Sequence, residues 1–246
     1  MIIPFCHSES RKHLKHFGER NEEKGKMAKI KYDTFNAYMV RGAAFAGDWE
    51  IPVIDRVQNC IPTDLVLFTE MKKTSDTHAW VHFFTDDRRF TALWNHPTRH
   101  LSQLKRFEGV ISPDFSIYRD MPLCVQLYGV YQNRAMAYWL STQGIPVIPN
   151  VRWGDERSYA FCFEGLPTHS TVAVGSNGCL RNPQDRMDFQ QGFDEMCRQL
   201  SPHTVLVYGP APAEIFQKHI DAGIQIVPYT AEMRRIHEAS SKGGLE

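Results

Sequence analysis

From residue 51 onward the chain alternates short apolar runs of β-forming residues with longer segments of helical periodicity. That alternation is the signature of parallel βα units, because a parallel pair needs a crossover long enough to return the chain to the same end of the sheet. Strands are expected at residues 51–54, 65–68, 80–84, 110–112, 147–150, 172–174, 205–208 and 224–227. Their unbroken apolar character suits positions covered on both faces. Between them, 89–107, 123–143, 185–200 and 213–222 have helical length and spacing, clearest in Met187, Phe189, Phe193, Met196, Cys197 and Leu200. Gly144 and Gly223 stand directly before the next strand, where a left-handed residue ends a helix.

Seven or eight such units in about 190 residues give an α/β fold with a compact or incomplete (β/α) barrel-like parallel sheet. A doubly wound open sheet is the alternative. It is weakened because no glycine-rich nucleotide fingerprint follows the first strand. Residues 32–246 are read as a single α/β domain. Residues 1–31 form a separate polar arm, rich in Lys, Arg and Glu, and the purine-rich coding potential of Glu22-Glu23-Lys24-Gly25-Lys26 ahead of Met27 makes Met27 the expected start of the native protein.

With 28 Lys+Arg against 28 Asp+Glu, the chain lacks the global basic field that drives sequence-independent nucleic-acid binding. Nucleic-acid processing or replication is thereby disfavoured, and its support is the basic N-terminal arm with the pairs Arg88-Arg89, Lys105-Arg106 and Arg234-Arg235. No apolar run approaches the roughly 20 residues of a membrane span, and a cytoplasmic location is expected. Six cysteines without a C-x-x-C pair read as reduced thiols, mostly packed as small hydrophobes. Cys179 stands apart, because a helix N-terminus after Gly178 would lower its thiol pKa.

Parallel βα folds place ligands beyond the carboxyl ends of their strands, and those positions are unusually polar here. Asp86 and Asp87 follow one strand, Asp114 and Ser116 another, then Asn150, Arg152 and Trp153, then Ser176 and Asn177, then Tyr208. Carboxylates converging with an arginine can hold Mg²⁺ or Mn²⁺ through oxygen, or act as acid and base beside a bound anion. Asp114 is the leading candidate catalytic residue, with Asp86 and Asp87 assisting unless they cap the following helix. Arg152, Trp153, Asn150, Ser116, Ser176, Asn177 and Tyr208 are the candidate substrate-binding residues. The expected activity is hydrolysis or transfer on a nucleotide or other small phosphorylated substrate. The alternative is a non-catalytic protein that sequesters a nucleotide or host factor.

Other constellations carry less. His96/His100 and His78/His82 have an i, i+4 separation without the glutamate of the H-E-x-x-H zinc motif, and they read as structural or surface histidines. There is no Walker loop and no serine-hydrolase elbow. Tyr128, Tyr131, Tyr138 and Trp139 recur at helical spacing and belong to a core face.

The segments Ser112-Pro113-Asp114-Phe115-Ser116-Ile117-Tyr118-Arg119-Asp120-Met121-Pro122, Gly144-Ile145-Pro146-Val147-Ile148-Pro149-Asn150-Val151-Arg152-Trp153-Gly154-Asp155 and Phe161-Cys162-Phe163-Glu164-Gly165-Leu166-Pro167 resemble the bacterial and phage family catalogued as domain of unknown function 4417. The likeness covers roughly residues 48–230. It implies a cytoplasmic protein common on phages and other mobile elements, and it brings no activity with it.

Overall fold

The computed structural model describes residues 35–57 and 60–230. The expected polar arm, the start at Met27, Cys6 and Arg234-Arg235 lie outside them. Among the described residues the strands are β1 (Phe45–Ala46), β2 (Ile51–Pro52), β3 (Leu65–Leu67), β4 (Trp80–His82), β5 (Gly109–Ile111), β6 (Val147–Ile148), β7 (Thr171–Gly175), β8 (Thr204–Tyr208) and β9 (Gln225–Tyr229). The helices are α1 (Thr91–Asn95), α2 (Pro97–Leu104), α3 (Leu123–Thr142), α4 (Pro183–Leu200) and α5 (Ala213–Asp221).

Strands β3-β4-β5-β6 form one parallel sheet and β7-β8-β9 a second. A parallel bridge between Asn150 and Ala173 joins them, flanked by Val151 N–H donating to the Ala173 carbonyl (2.8 Å) and Ala173 N–H to that of Pro149 (2.9 Å). Strand order follows chain order throughout, without the reversal that defines a doubly wound sheet.

Side chains alternate between two apolar layers. Val81, Val110, Val147, Val172, Val174, Val205 and Val207 enter the larger core with Phe90, Leu93, Leu104, Met136, Leu140, Phe193 and Phe216. The intervening Leu65, Trp80, Ile111, Ile148, Ala173, Leu206 and Tyr208 meet one another in a second cluster, with Val57, Cys60, Val227 and Tyr229 at its edge. Burial on both faces explains why the strands read as continuous hydrophobic runs instead of alternating ones. In a flat sheet β4 and β8, four places apart, would lie about 19 Å from each other. Instead the His82 and Tyr208 rings are 4.6 Å apart, and Phe84 stacks on Tyr208 at 4.8 Å. The parallel strands are therefore strongly curved around the second cluster.

Three sequence expectations need correction. Residues 51–54 do not begin the parallel series: Ile51–Pro52 pairs antiparallel with Phe45–Ala46 in a separate hairpin. The helix expected over 89–107 is broken at His96, whose backbone (φ −141°, ψ 59°) is non-helical because Pro97 disfavours the helical region for the residue before it. Helix α4 begins at Pro183, two residues before its expected start, with Asn182 as its cap. Gly144 does adopt the left-handed conformation foreseen for a helix stop (φ 79°). Among the described residues no helix is long and apolar enough to cross a membrane.

Candidate functional site

The loop leaving β5 is fixed from beneath by a buried polar network. Asn133 on α3 donates through Nδ2 to Ser112 Oγ (3.0 Å) and to the Pro113 carbonyl (2.7 Å), and the same Oγ accepts from Asn150 N–H (2.8 Å). The loops after β5 and β6 are thus pinned to one hydroxyl. Arg134, the next residue on α3, is 1% exposed and donates to the carbonyls of Cys162 (2.7 Å) and Glu164 (3.2 Å) and to Asn133 Oδ1. Burial lowers its pKa to about 10, so it stays cationic at neutral pH, neutralised only by dipoles.

Above this network Asp114 is buried. Its Oδ1 accepts from Asn150 Nδ2 (2.7 Å) and its Oδ2 from Arg152 Nη1 (2.9 Å). Burial pushes the Asp114 carboxyl above its ordinary range, against the pull of Arg152 and Asn150, and the neighbouring Asp87 adds to the rise. The Arg152 guanidinium also lies over the Tyr118 ring, 5.9 Å from its centroid. Tyr118 Oη donates to Ser116 Oγ (3.2 Å), and Ser116 donates through Oγ (2.7 Å) and N–H (3.0 Å) to the two Asp87 oxygens. One chain of contacts therefore runs Asp87, Ser116, Tyr118, Arg152, Asp114, Asn150.

Beside it opens a cavity of about 600 Å³, in the range that holds small ligands. Its walls come from the loop after β5 (Tyr118, Arg119), the loop after β6 (Arg152, Trp153), the turn after β7 (Asn177, Cys179) and the first turns of α4 (Asp185, Asp188). It lies where β6 and β7, joined by the single Asn150–Ala173 bridge, give way to their loops. The Trp153 indole fills the back wall against Phe163 and Phe189, its Nε1 donating to the Asp188 carbonyl (3.1 Å). Arg119 Nη1 bridges Asp185 (2.7 Å) and Asp188 (2.9 Å), tying the β5 loop to α4.

The sequence model for the family described as Domain of unknown function (DUF4417) matches residues 43–230, which include the sheets, their helices and every wall of the cavity. The chain belongs to this family. It is also similar to the Gene 1 protein of Mycobacterium phage L5, 36% identical over 184 residues that make up 73% of this chain and 78% of that one. The Gene 1 protein of Mycobacterium phage D29 is 33% identical over 183 residues, covering 73% of this chain and 66% of the phage protein. No solved structure matches the chain.

Within the DUF4417 region the sequence-derived candidates separate into three groups. Asp114, Asn150, Arg152, Ser116 and Asp87 are brought together by the contacts described above. Trp153 and Asn177 line the adjoining cavity. Asp86, Ser176 and Tyr208 are placed elsewhere. Asp86 caps a short turn on the surface, with both oxygens taken by Arg88, whose side chain holds the carboxyl at about 2. Ser176 is buried and donates to the Pro210 carbonyl (2.7 Å), holding the β7 and β8 exits together. Tyr208 packs between His82 and Phe84 in the second cluster.

The carboxylates do not assemble as a cation site. Asp86, Asp87 and Asp114 are each engaged by protein donors, and among the described residues no group of three or more His, Cys, Asp and Glu converges to hold a metal ion. The paired histidines also diverge: His78 meets Glu108 at the surface, while His82 is buried beneath Tyr208 with its pKa lowered to about 3 by desolvation. Cys179 does line the cavity, but α4 begins four residues later and burial raises its thiol pKa, contrary to the expected activation.

Sequence reasoning missed Tyr118, Arg119, Asp185 and Asp188 as parts of the site. The i, i+3 spacing of Asp185 and Asp188 was a usable signal, because it puts both carboxylates on one face of α4. Nothing in the sequence said that this face meets the loop carrying Arg119.

Proposed function

We propose that the cavity binds a small anionic ligand of the nucleotide class, with Arg152 as its anion-recognising group. One observation carries this reading. Arg152 uses Nη1 on Asp114, while its Nε and Nη2 make no hydrogen bond among the described residues, and the side chain lines the cavity. A guanidinium held by a buried carboxylate and a tyrosine face is fixed before the ligand arrives, so little of its rotamer entropy is lost on binding. Asp120, Asp185 and Asp188 also line the cavity, and the pairing of Asp185 and Asp188 with Arg119 offsets their charge toward an anion. Asp114 does not itself line the cavity and both its oxygens are engaged, which favours a positioning role and ligand retention over proton transfer. The five thiols among the described residues are unpaired, consistent with work in a reducing cytoplasm.

Titration calorimetry with a panel of nucleoside mono-, di- and triphosphates, followed by mass spectrometry of the recovered compounds, tests the reading. Retention of an unaltered compound, weakened at least tenfold by Arg152→Gln, is expected. Chemical alteration would instead establish an enzyme. No binding, or equal binding by the variant, would overturn the assignment.

We also infer that the seven parallel strands form an incomplete (β/α) barrel. The second apolar cluster spanning β3 to β9 supports this, as does Tyr229 Oη donating to the Pro62 carbonyl just ahead of β3 (2.5 Å). A crystal structure with β9 splayed away from β3 and water between them would refute it.

A further inference from the structure

Residues 88–107, which include helices α1 and α2, contain five Lys and Arg and no Asp or Glu, in a chain of zero net charge. Arg88, Arg89, Arg99, Lys105 and Arg106 are all exposed. The neighbouring turn after residues 68–70 adds Lys72 and Lys73, also exposed. Two contacts bring these segments together. Arg89 Nη2 donates to Thr69 Oγ1 (3.3 Å), and the His100 ring lies against Phe68 at 5.2 Å. His100, its pKa lowered first by burial, is lowered further by the charges of Lys72 and Arg99, which places those two cations near one spot.

The local acids do not cancel the patch. Glu70 pairs with Lys73 (2.7 Å) and Asp86 with Arg88 (2.9 Å), and both acids also attract Arg89 without forming an ion pair with it. Lys72, Arg89, Arg99, Lys105 and Arg106 have no salt bridge among the described residues. On α2, Arg99 and Ser102 stand i, i+3 and share one side, and Lys105 and Arg106 follow in the turn at its end. None of these residues lines the cavity.

We propose that this surface binds the phosphate backbone of a nucleic acid, independently of the ligand cavity. Its composition separates that partner from an anionic membrane. A membrane-surface helix buries large apolar side chains in the lipid, whereas the exposed non-basic positions on α1 and α2 are Thr91, Ala92, Asn95, Thr98 and Ser102, with His96 between the helices. Hydroxyl and amide side chains beside Arg and Lys are the groups that contact phosphate oxygens. With zero net charge overall, binding through this face rests on local charge and must be strongly salt-dependent.

Fluorescence anisotropy with a labelled 20-base-pair duplex and the full chain tests this directly. Four phosphate contacts, from Lys72, Arg89, Arg99 and Arg106, predict a salt slope of about −3.6, or about a hundredfold weaker binding at 200 mM than at 50 mM salt. The Lys72→Gln/Arg89→Gln/Arg99→Gln variant should bind at least tenfold more weakly at 50 mM with a slope flatter by about three, and keep its melting temperature, because all three side chains are exposed. Lys105→Gln/Arg106→Gln, just past the end of α2 and sharing no position with the first variant, should also weaken binding. No duplex binding at 50 mM salt, unchanged binding by both variants, or binding to phosphatidylglycerol vesicles without duplex binding would each overturn the proposal.

Discussion

Arg152 donates to the Asp114 carboxylate at 2.9 Å, although the two residues leave the sheet on different strands, β6 and β5. The pair closes the buried end of the cavity wall and joins it to Asn150, whose Oδ1 is buried without a hydrogen-bond partner. Removing the carboxylate leaves a largely buried guanidinium with no counter-charge. Asp114→Ala should therefore lose roughly 3 kcal/mol of stability. Asp114→Asn, which must turn an amide N–H toward either Arg152 or Asn150, should lose about 1–2 kcal/mol. Denaturant melts of both variants check the order, and an alanine variant as stable as wild type would show that the pair is solvated.

Arg134 makes the opposite kind of site, a buried cation facing carbonyl oxygens. Arg134→Met should fill much of the same volume yet leave the Cys162 and Glu164 carbonyls and Asn133 Oδ1 without their donor. A loss of about 3–5 kcal/mol is expected from that set of unmet acceptors. Arg134→Lys should recover only part of it, because an ammonium cannot reach three acceptors in a planar fan. Equal stability of the two variants would argue against the geometry.

Gly192 on α4 is required by its neighbour. A Cβ there would stand 2.1 Å from Trp153 Nε1, inside the wall of the cavity. Gly192→Ala should cost about 1–3 kcal/mol by overpacking, although alanine is intrinsically the better helix former. That corresponds to a fall in melting temperature of very roughly 2–12 °C for a domain of this size. An unchanged or higher melting temperature would mean that the indole moves freely.

Buried His82 gives the fold a defined acid sensitivity. Its pKa is lowered to about 3, so between that value and the ordinary range near 6.5 the unfolded chain binds a proton that the folded protein does not. The stability it contributes is present above about 6.5 and declines as pH falls toward 3; from pH 7 to pH 5 the loss is about 2 kcal/mol. His82→Phe should flatten this part of the stability profile, even if it lowers stability at pH 7 by removing the acceptor for Phe84 N–H (3.3 Å). The same slope in both proteins would place the pH dependence elsewhere.

The residues show which parts of this architecture were legible. The apolar runs at 65–68, 172–174 and 205–208, and the start of 147–150, read as strands because burial on both faces leaves no room for polar alternation. Helical spacing over 89–107 hides the break at His96, which only the restriction Pro97 puts on the residue before it reveals. Residues 51–54 looked like another parallel strand because two apolar residues carry no record of their partner. In the site, Asp114 and Arg152 were each chosen for standing just past a strand. Asp86, chosen by the same rule, turned to its own neighbour Arg88.

Local chemistry in the chain determined the alternation of strand and helix, the helix stop at Gly144 and the concentration of polar residues after the strands. Tertiary structure alone decided that Asp114 meets Arg152, that Arg119 ties the β5 loop to α4, and that His82 touches Tyr208 across four strand positions. Periodicity records whether a residue is covered and repeats every two or four positions. Pairing between distant loops depends on sheet curvature and loop path, which no short window of sequence contains.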